Sequence, residues 1–330
     1  PEVSYSSEEE QAIEDNLRAE VTNARAAYEA RLGIHLPDDY YIDLFFSPGE
    51  APTDERGRSP IGDAGPNGAD GELLYSGVPR GCTIRVFDVS DTSIITLTVY
   101  HEVFHCFQYY LVGDAALAWA AQDWILEGSA EWAGNELVPH EHGRRRFQMW
   151  VSDKHSLYSM AYEAIGYYFV LDSLGVSPWD VHDDMLDAQG GVAAVAASGL
   201  DPEEVLSRVI TSKARANTIA SLGVSDRWDF SASNVPHDGY FARATVTPSA
   251  PHRATLGLGE FAAGHVEVLH LEGGSVVQVA LNGGVGTLEF FGQDPIEWNG
   301  SLVREFCLEE EGCSCGAGPE TLEHGTRDLI

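Results

Sequence analysis

The feature that most constrains the fold is a stripe of polar side chains within an apolar segment at residues 92 to 111. The stripe consists of Thr98, His101, Glu102, His105 and Gln108. Several residues at the start of the segment are β-branched and have strand propensity. The polar residues nevertheless fall at helical spacings, with apolar residues around them. The pattern therefore predicts a buried helix that keeps one polar face.

Two histidines and a glutamate on this face suggest a metal site. His101 and His105 stand four residues apart, which on a helix leaves them within about 40° of one face and one turn apart. Two imidazoles so placed can bind one metal ion, and Glu102 can reach a water bound to it. Zinc lowers the pKa of such a water, and a carboxylate can take its proton as it attacks a carbonyl. With 12 histidines in 330 residues, chance would produce H-E-x-x-H roughly 0.04 times, so two ordinary histidines are the less favoured interpretation.

A catalytic zinc ion needs a third protein ligand and one open position. The extended pattern H-E-x-x-H-x-x-G-x-x-H is excluded, because neither its Gly nor its last His is present. Asp114 is another option, but nothing around it favours ligation. The segment from Trp124 to Trp132 offers two acids, Glu127 and Glu131, on a predicted helix. The chemistry requires an acid and does not choose between these two.

At this point the sequence resembles the gluzincin superfamily of zinc metallopeptidases. In that superfamily a second helix with a W-x-x-E-G-x-A type motif follows the H-E-x-x-H helix. The matching residues here are Trp124, Glu127, Gly128 and Ala130. The 21 residues between His105 and Glu127 are also an ordinary spacing for the superfamily. The resemblance implies a zinc site made by His101, His105 and Glu127, in which Glu131 supports the ligands or is structural.

A second likeness lies downstream, between residues 158 and 166. Aminopeptidase-like gluzincins carry a similar Tyr-Glu-x-Gly segment whose tyrosine hydrogen-bonds the tetrahedral oxyanion. Tyr162 corresponds to that tyrosine, although two residues separate Glu163 from Gly166 here. A phenol suits this role because it donates a hydrogen bond without adding a competing metal ligand. The alternative is a core aromatic residue on an apolar helix, and His155 is another candidate for the same role.

One departure from the aminopeptidases favours an endopeptidase. Their G-x-M-E-N motif, whose Glu holds the free amine of the substrate, is absent from this sequence. The chain also resembles secreted bacterial peptidases with an H-E-x-x-H-x-x-Q helix, an E-x-x-A-x-W helix and a trailing β-sandwich. The residues that fit are Gln108, Glu127, Ala130 and Trp132. The resemblance implies cleavage of protein or peptide substrates and is strongest over residues 80 to 175.

Composition and cysteine usage restrict the partners and the compartment. The net charge of −33, from 52 acidic and 19 basic residues, repels phosphate backbones and disfavours nucleic acid. No run of 18 apolar residues occurs, so no membrane span is expected. A disulfide among Cys307, Cys313 and Cys315 would indicate an oxidising compartment. We therefore expect a secreted, periplasmic or cell-surface protein. For Cys106 we expect a buried thiol, with pairing to Cys82 as the alternative.

The overall pattern predicts an α+β, zincin-like fold in two domains. The catalytic domain, residues 1–236, is expected to be mostly helical with a small antiparallel sheet. Residues 237–330 show short alternating runs between Gly-rich turns and predict a small all-β sandwich. Two other functions remain open: a non-catalytic zinc-binding protein that binds a surface or glycan, and a hydrolase of a non-peptide amide or ester.

Several element boundaries follow from local signals. Ser7 and Glu10 suggest a capping box for the first helix, which Gly33 would end. Strands are expected at residues 41 to 46 and 82 to 88, and a Gly-, Pro- and Asp-rich loop at 50 to 72. Further helices are expected at about 117 to 136, 157 to 174 and 202 to 220.

Overall fold

The computed structural model describes residues 6–47, 61–68, 71–87, 92–152, 156–202 and 205, together with six strands in the C-terminal third. The chain divides into two compact units. The first contains most of the described residues up to Pro202, and the second contains the strands from Tyr240 onward. The predicted domain boundary at residue 236 lies outside the described residues and stays a prediction.

The first helix, α1, spans Ser7–Leu32 and begins with a capping box. Its N-cap is Ser6, which exchanges hydrogen bonds with Glu9. The capping box predicted at Ser7 and Glu10 is thus wrong by one residue. Both pairs have the same spacing, so the sequence pattern does not distinguish them. Gly33 ends the helix in the left-handed region at a φ of 66°, as predicted. The buried Tyr28 packs its ring against Phe104 at 5.1 Å between centroids.

A three-stranded sheet forms from β1 (Tyr41–Phe46), β2 (Gly62–Asn67) and β3 (Gly81–Val86), in the order β1-β3-β2. β1 runs parallel to β3 and β2 antiparallel to it, so the sheet is mixed and not antiparallel as predicted. The sequence of β2, Gly-Asp-Ala-Gly-Pro-Asn, has low strand propensity and predicts a loop. Pairing with β3 over six residues overrides that propensity. The proline is tolerated because β2 is an edge strand.

The polar stripe lies on α2, which spans Thr92–Val112 and confirms the predicted helix. A disulfide between Cys82 of β3 and Cys106 of α2 fastens this helix to the sheet. The expectation of a free buried thiol at Cys106 is therefore wrong, and the alternative pairing is confirmed. Because Cys106 follows His105 directly, the cross-link restrains the backbone at the stripe itself.

Shorter helices follow α2. They are α3 (Ala115–Ala120), α4 (Asp123–Leu137), α5 (Glu141–Ser152), α6 (Ile165–Ser173), α7 (Pro178–Asp187) and α8 (Gly191–Ala197). The helix predicted at 117 to 136 is two helices, because Ala121 and Gln122 are extended between them. The helix predicted at 157 to 174 begins only at Ile165, after two single 3-10 turns. Among the described residues, none of the helices is long and apolar enough to cross a lipid bilayer.

The C-terminal unit contributes six described strands. They are β4 (Tyr240–Val246), β5 (His265–Leu271), β6 (Val276–Leu288), β7 (Ile296–Leu308), β8 (Glu320–Leu322) and β9 (Arg327–Leu329). They form two three-stranded sheets, β4-β5-β9 and β6-β7-β8. Cys307 lies in β7, but Cys313 and Cys315 lie outside the described residues, as does most of the helix predicted at 202 to 220.

Candidate metal centre

The site is built where α4 crosses α2, and a glycine permits the crossing. A Cβ at Gly134 would lie 3.1 Å from Leu97 Cδ1 and 3.5 Å from the backbone nitrogen of His101. Larger residues would therefore push the helices apart. Glu127 and Glu131 stand one turn apart on α4, and both face the histidines of α2.

Three donor atoms meet at this crossing. His101 Nε2 lies 3.1 Å from His105 Nε2 and 3.2 Å from Glu127 Oε2, and His105 Nε2 lies 3.5 Å from the same oxygen. In a tetrahedral zinc site with Zn–N distances of 2.0–2.1 Å, neighbouring donor atoms are about 3.3 Å apart. The three donors therefore fit a zinc ion, with a fourth position left for another ligand. Among the described residues, they are the one group of this kind.

Hydrogen bonds around Gln108 determine which nitrogen of His105 carries its proton. The Gln108 amide nitrogen donates to the Leu126 carbonyl at 3.0 Å and to the Ser129 hydroxyl at 2.8 Å. Since the Leu126 carbonyl can only accept, this orientation turns the Gln108 oxygen toward His105 Nδ1, 2.6 Å away. Nδ1 must then be the donor. In the neutral imidazole, Nε2 is left with a lone pair directed at the candidate metal position.

The other histidine has a carboxylate behind it. Glu131 is buried, and its Oε2 lies 3.7 Å from His101 Nδ1. Its second oxygen accepts a hydrogen bond from Asn135 Nδ2 at 3.1 Å. Burial raises the pKa of Glu131 to about 7, against the opposing effects of Arg146 and Asn135. Glu131 therefore stands behind the ligand, whereas Glu127 shares the space between the two imidazoles.

Glu102 lies beside the three donors and is not one of them. The edge strand β2 approaches it closely, since a Cβ at Gly62 would lie 3.2 Å from Glu102 Cγ. Burial raises the pKa of Glu102 to about 8; His105 opposes this shift and Glu127 adds to it. The carboxylate is thus a stronger base than an exposed glutamate and lies among other acids.

Charge interactions couple the donors to one another. Burial alone would lower the pKa of His105, but Glu127 raises it to about 9. Burial would likewise raise the pKa of Glu127, but His105 and His101 hold it well below its ordinary value. Burial lowers the pKa of His101 despite its contact with Glu127. Glu127 is therefore an ionised carboxylate, and its side chain keeps 28% of its surface exposed.

Tyr162 reaches the site because a second glycine allows close packing. A Cβ at Gly128 would lie 2.7 Å from Ala164 Cβ, so the 3-10 turn at Tyr162–Ala164 can lie against α4. The Tyr162 ring lies 5.6 Å from the His101 ring. Burial raises the pKa of its hydroxyl above the ordinary value, and Glu127 and Glu102 add to the shift. The phenol is therefore protonated and can donate a hydrogen bond.

Other candidates from the sequence lie elsewhere. Asp114 caps α3 by accepting from Ala116 N at 2.8 Å, so it has a structural partner. His155 lies outside the described residues. The sequence alone did not indicate Arg146, whose guanidinium lies 4.5 Å from the Tyr162 ring centroid. In the sequence, Arg146 belongs to the basic run Arg144, Arg145 and Arg146, which predicts only a solvated face. Its proximity to Tyr162 depends on the packing of α5 and is not visible in the sequence.

Comparisons with known proteins add no relative: no protein-family model, curated protein or solved structure matches the chain. A functional assignment therefore rests on the site itself. Its three converging donors, its adjacent buried carboxylate and its protonated phenol come from α2, α4 and the 162–164 turn.

Proposed function

We propose that the chain is a zinc-dependent peptidase of the gluzincin type that acts as an endopeptidase. His101, His105 and Glu127 hold the ion. The observation that carries the proposal is the meeting of three donor atoms 3.1 to 3.5 Å apart beside Glu102, a buried carboxylate that is not one of them. A purely structural zinc site has no need of that acid and closes its fourth position with a protein ligand.

Glu102 is the general base in this proposal. A zinc ion at the site would act as a Lewis acid that lowers the pKa of a water molecule and polarises the substrate carbonyl. Glu102 takes a proton from the attacking water and later gives it to the leaving amine. The position of Glu102, buried beside the donor atoms, supports this role, in which one carboxylate accepts the proton and later releases it.

Tyr162 donates a hydrogen bond to the oxyanion of the tetrahedral intermediate. Its raised pKa keeps the proton on the phenol, and its ring lies beside His101. The 3-10 turn that begins at Tyr162 packs against α4 at Gly128, and the Tyr162 hydroxyl lies within hydrogen-bonding reach of Glu127. Such preorganised donors stabilise charge where it develops during acyl transfer.

The ligand set supports zinc as the metal, and the cysteines support the proposed compartment. Two imidazoles and one carboxylate suit zinc. The disulfide between Cys82 and Cys106 favours an oxidising compartment, which is consistent with a secreted, periplasmic or cell-surface protein that acts on protein or peptide substrates. We further propose that the C-terminal strands pack as a β-sandwich.

The test compares the rates of substrate hydrolysis by the zinc-loaded chain and by its Glu102→Gln variant. Substrates are an unfolded protein, such as reduced casein, and a panel of small amides and esters. We expect cleavage of the unfolded protein, and a loss of about 10²- to 10⁴-fold in kcat for the variant, with unchanged zinc content. Full activity in Glu102→Gln would overturn the mechanism. Hydrolysis of the small compounds alone would assign a non-peptide substrate, and zinc binding without any hydrolysis would indicate a binding protein.

A further inference from the structure

An exposed pair of aromatic rings lies near the candidate site. Tyr75 and Trp119 stack with their ring centroids 6.1 Å apart and their planes 30° apart. Their exposed fractions are 69% and 44%. We call these two rings the aromatic platform. Exposed aliphatic residues occur in the same two segments of the chain: Leu73, Val78 and Leu117.

The fold holds the platform in place. The Trp119 indole nitrogen donates to the Leu74 carbonyl at 3.0 Å, which joins α3 to the segment that carries Tyr75. Asp114 accepts a hydrogen bond from Gly77 N at 3.1 Å, and Ala115 N donates to the Gly77 carbonyl at 2.9 Å. These hydrogen bonds fix the Trp119 ring and the backbone of the segment that carries Tyr75, which reduces the conformational entropy lost when a ligand binds.

A continuous row of rings links the platform to the candidate metal centre. The buried Tyr109 lies 6.0 Å from Trp119 and 6.3 Å from His105, centroid to centroid. Its hydroxyl donates to the Ala64 carbonyl of β2 at 3.0 Å, which fixes the ring between the two. The sum of these two distances is the largest possible separation between the Trp119 and His105 rings. Because an extended peptide advances ~3.3 Å per residue, that separation spans at most roughly four substrate residues.

We infer that the aromatic platform binds an aromatic side chain of the peptide substrate, within about four residues of the bond that is cleaved. The inference rests on the proposed peptidase function, whose substrate it specifies. Tyr75 and Trp119 provide stacking area for such a ring.

The hydrogen bonds of the platform favour a peptide side chain over a sugar. The indole N–H of Trp119 and the carboxylate of Asp114 already bond within the fold. Leu73, Val78 and Leu117 add exposed apolar surface in the same two segments. A hydroxyl-rich glycan needs free donors and acceptors beside the rings, whereas an apolar side chain needs only contact area.

Binding of labelled peptides tests the inference without requiring turnover. The protein is the full chain with Glu102→Gln, incubated with zinc, and the probes are octapeptides of Ala, Gly and Ser with one Phe placed at each position in turn. Fluorescence polarisation should show at least one Phe peptide binding ~10-fold tighter than the matched Ala peptide. Trp119→Ala and Tyr75→Ala, each in the same background, should abolish that preference.

Phe45→Ala is the matched control, because Phe45 is 50% exposed on β1, at the opposite edge of the sheet from β2. It should leave the Phe preference unchanged. Equal binding of Phe and Ala peptides, or a preference that survives both platform variants, would overturn the inference. So would Trp119-dependent binding of a β-glucan oligosaccharide or Trp119-dependent self-association in place of peptide binding. Trp119-dependent peptide binding without cleavage by the unmodified chain would retain the platform and reject the peptidase proposal.

Discussion

Gln108 holds His105 by a hydrogen bond of 2.6 Å between its side-chain oxygen and the imidazole Nδ1. The same amide donates to the Leu126 carbonyl of α4, so one side chain both orients a metal-ligand candidate and joins the two helices that form the site. The buried Ser129 hydroxyl accepts from the amide and donates to the Ile125 carbonyl. The orientation of His105 is therefore set by a network that extends into α4.

Removal of this network should weaken metal binding. In Gln108→Ala, His105 loses the acceptor that keeps its proton on Nδ1, and zinc affinity should fall about 10- to 100-fold. Competition with a chromogenic chelator measures the change. Gln11→Ala, which alters an exposed glutamine of α1, is the control and should bind zinc as the unmodified chain does. An unchanged affinity in Gln108→Ala would show that the hydrogen bond does not orient the ligand.

The variant Tyr162→Phe distinguishes two possible roles of Tyr162, as a donor to the oxyanion and as a core aromatic residue. The variant keeps the ring beside His101 and removes only the hydroxyl. We expect zinc content and KM to change little, and kcat to fall about 10²- to 10³-fold. Tyr100→Phe, a partly buried tyrosine of α2, serves as the control in the same steady-state assay. If kcat of Tyr162→Phe equals that of the unmodified chain, Tyr162 has only a packing role.

His182 makes stability depend on pH. It is buried against Phe104 at 5.0 Å, and no described residue hydrogen-bonds to either of its ring nitrogens. Burial, with a smaller effect of His105, lowers its pKa to about 3, from about 6.5 in the unfolded chain. Because the unfolded state binds the extra proton, stability is full above pH 6.5 and is lost as the pH falls toward 3.

His182→Leu should therefore stabilise the fold. Removal of an unpaired buried imidazole is expected to raise the free energy of unfolding by about 1–3 kcal/mol. The gain should be larger at pH 5 than at pH 7.5, because the variant loses the proton-linked cost described above. Urea unfolding at the two pH values measures both effects. A less stable variant, or an equal difference at both pH values, would contradict this account of His182.

Local patterns predict α2 and its polar stripe well, because helical spacing alone brings His101, Glu102 and His105 to one side of the helix. The mutual approach of α2 and α4 depends on Gly134 and on long-range packing, so the sequence motif alone does not determine the distance from Glu127 to the histidines. β2 is not predictable from its residues, because Gly62–Asn67 forms a strand only by pairing with β3. Likewise, the aromatic platform joins residues from distant segments that have no common local pattern.

The zinc content of the purified protein tests the central claim most directly, with Glu127→Ala and Glu131→Ala as a matched pair on α4. Both variants lose a carboxylate of the same helix, one turn apart, and only Glu127 Oε2 lies within 3.5 Å of both imidazole Nε2 atoms. After incubation with zinc and gel filtration, we predict about one zinc per chain in the unmodified protein and in Glu131→Ala, and none in Glu127→Ala. Absence of zinc from the unmodified protein, or zinc that persists in Glu127→Ala, would contradict the proposed ligand set.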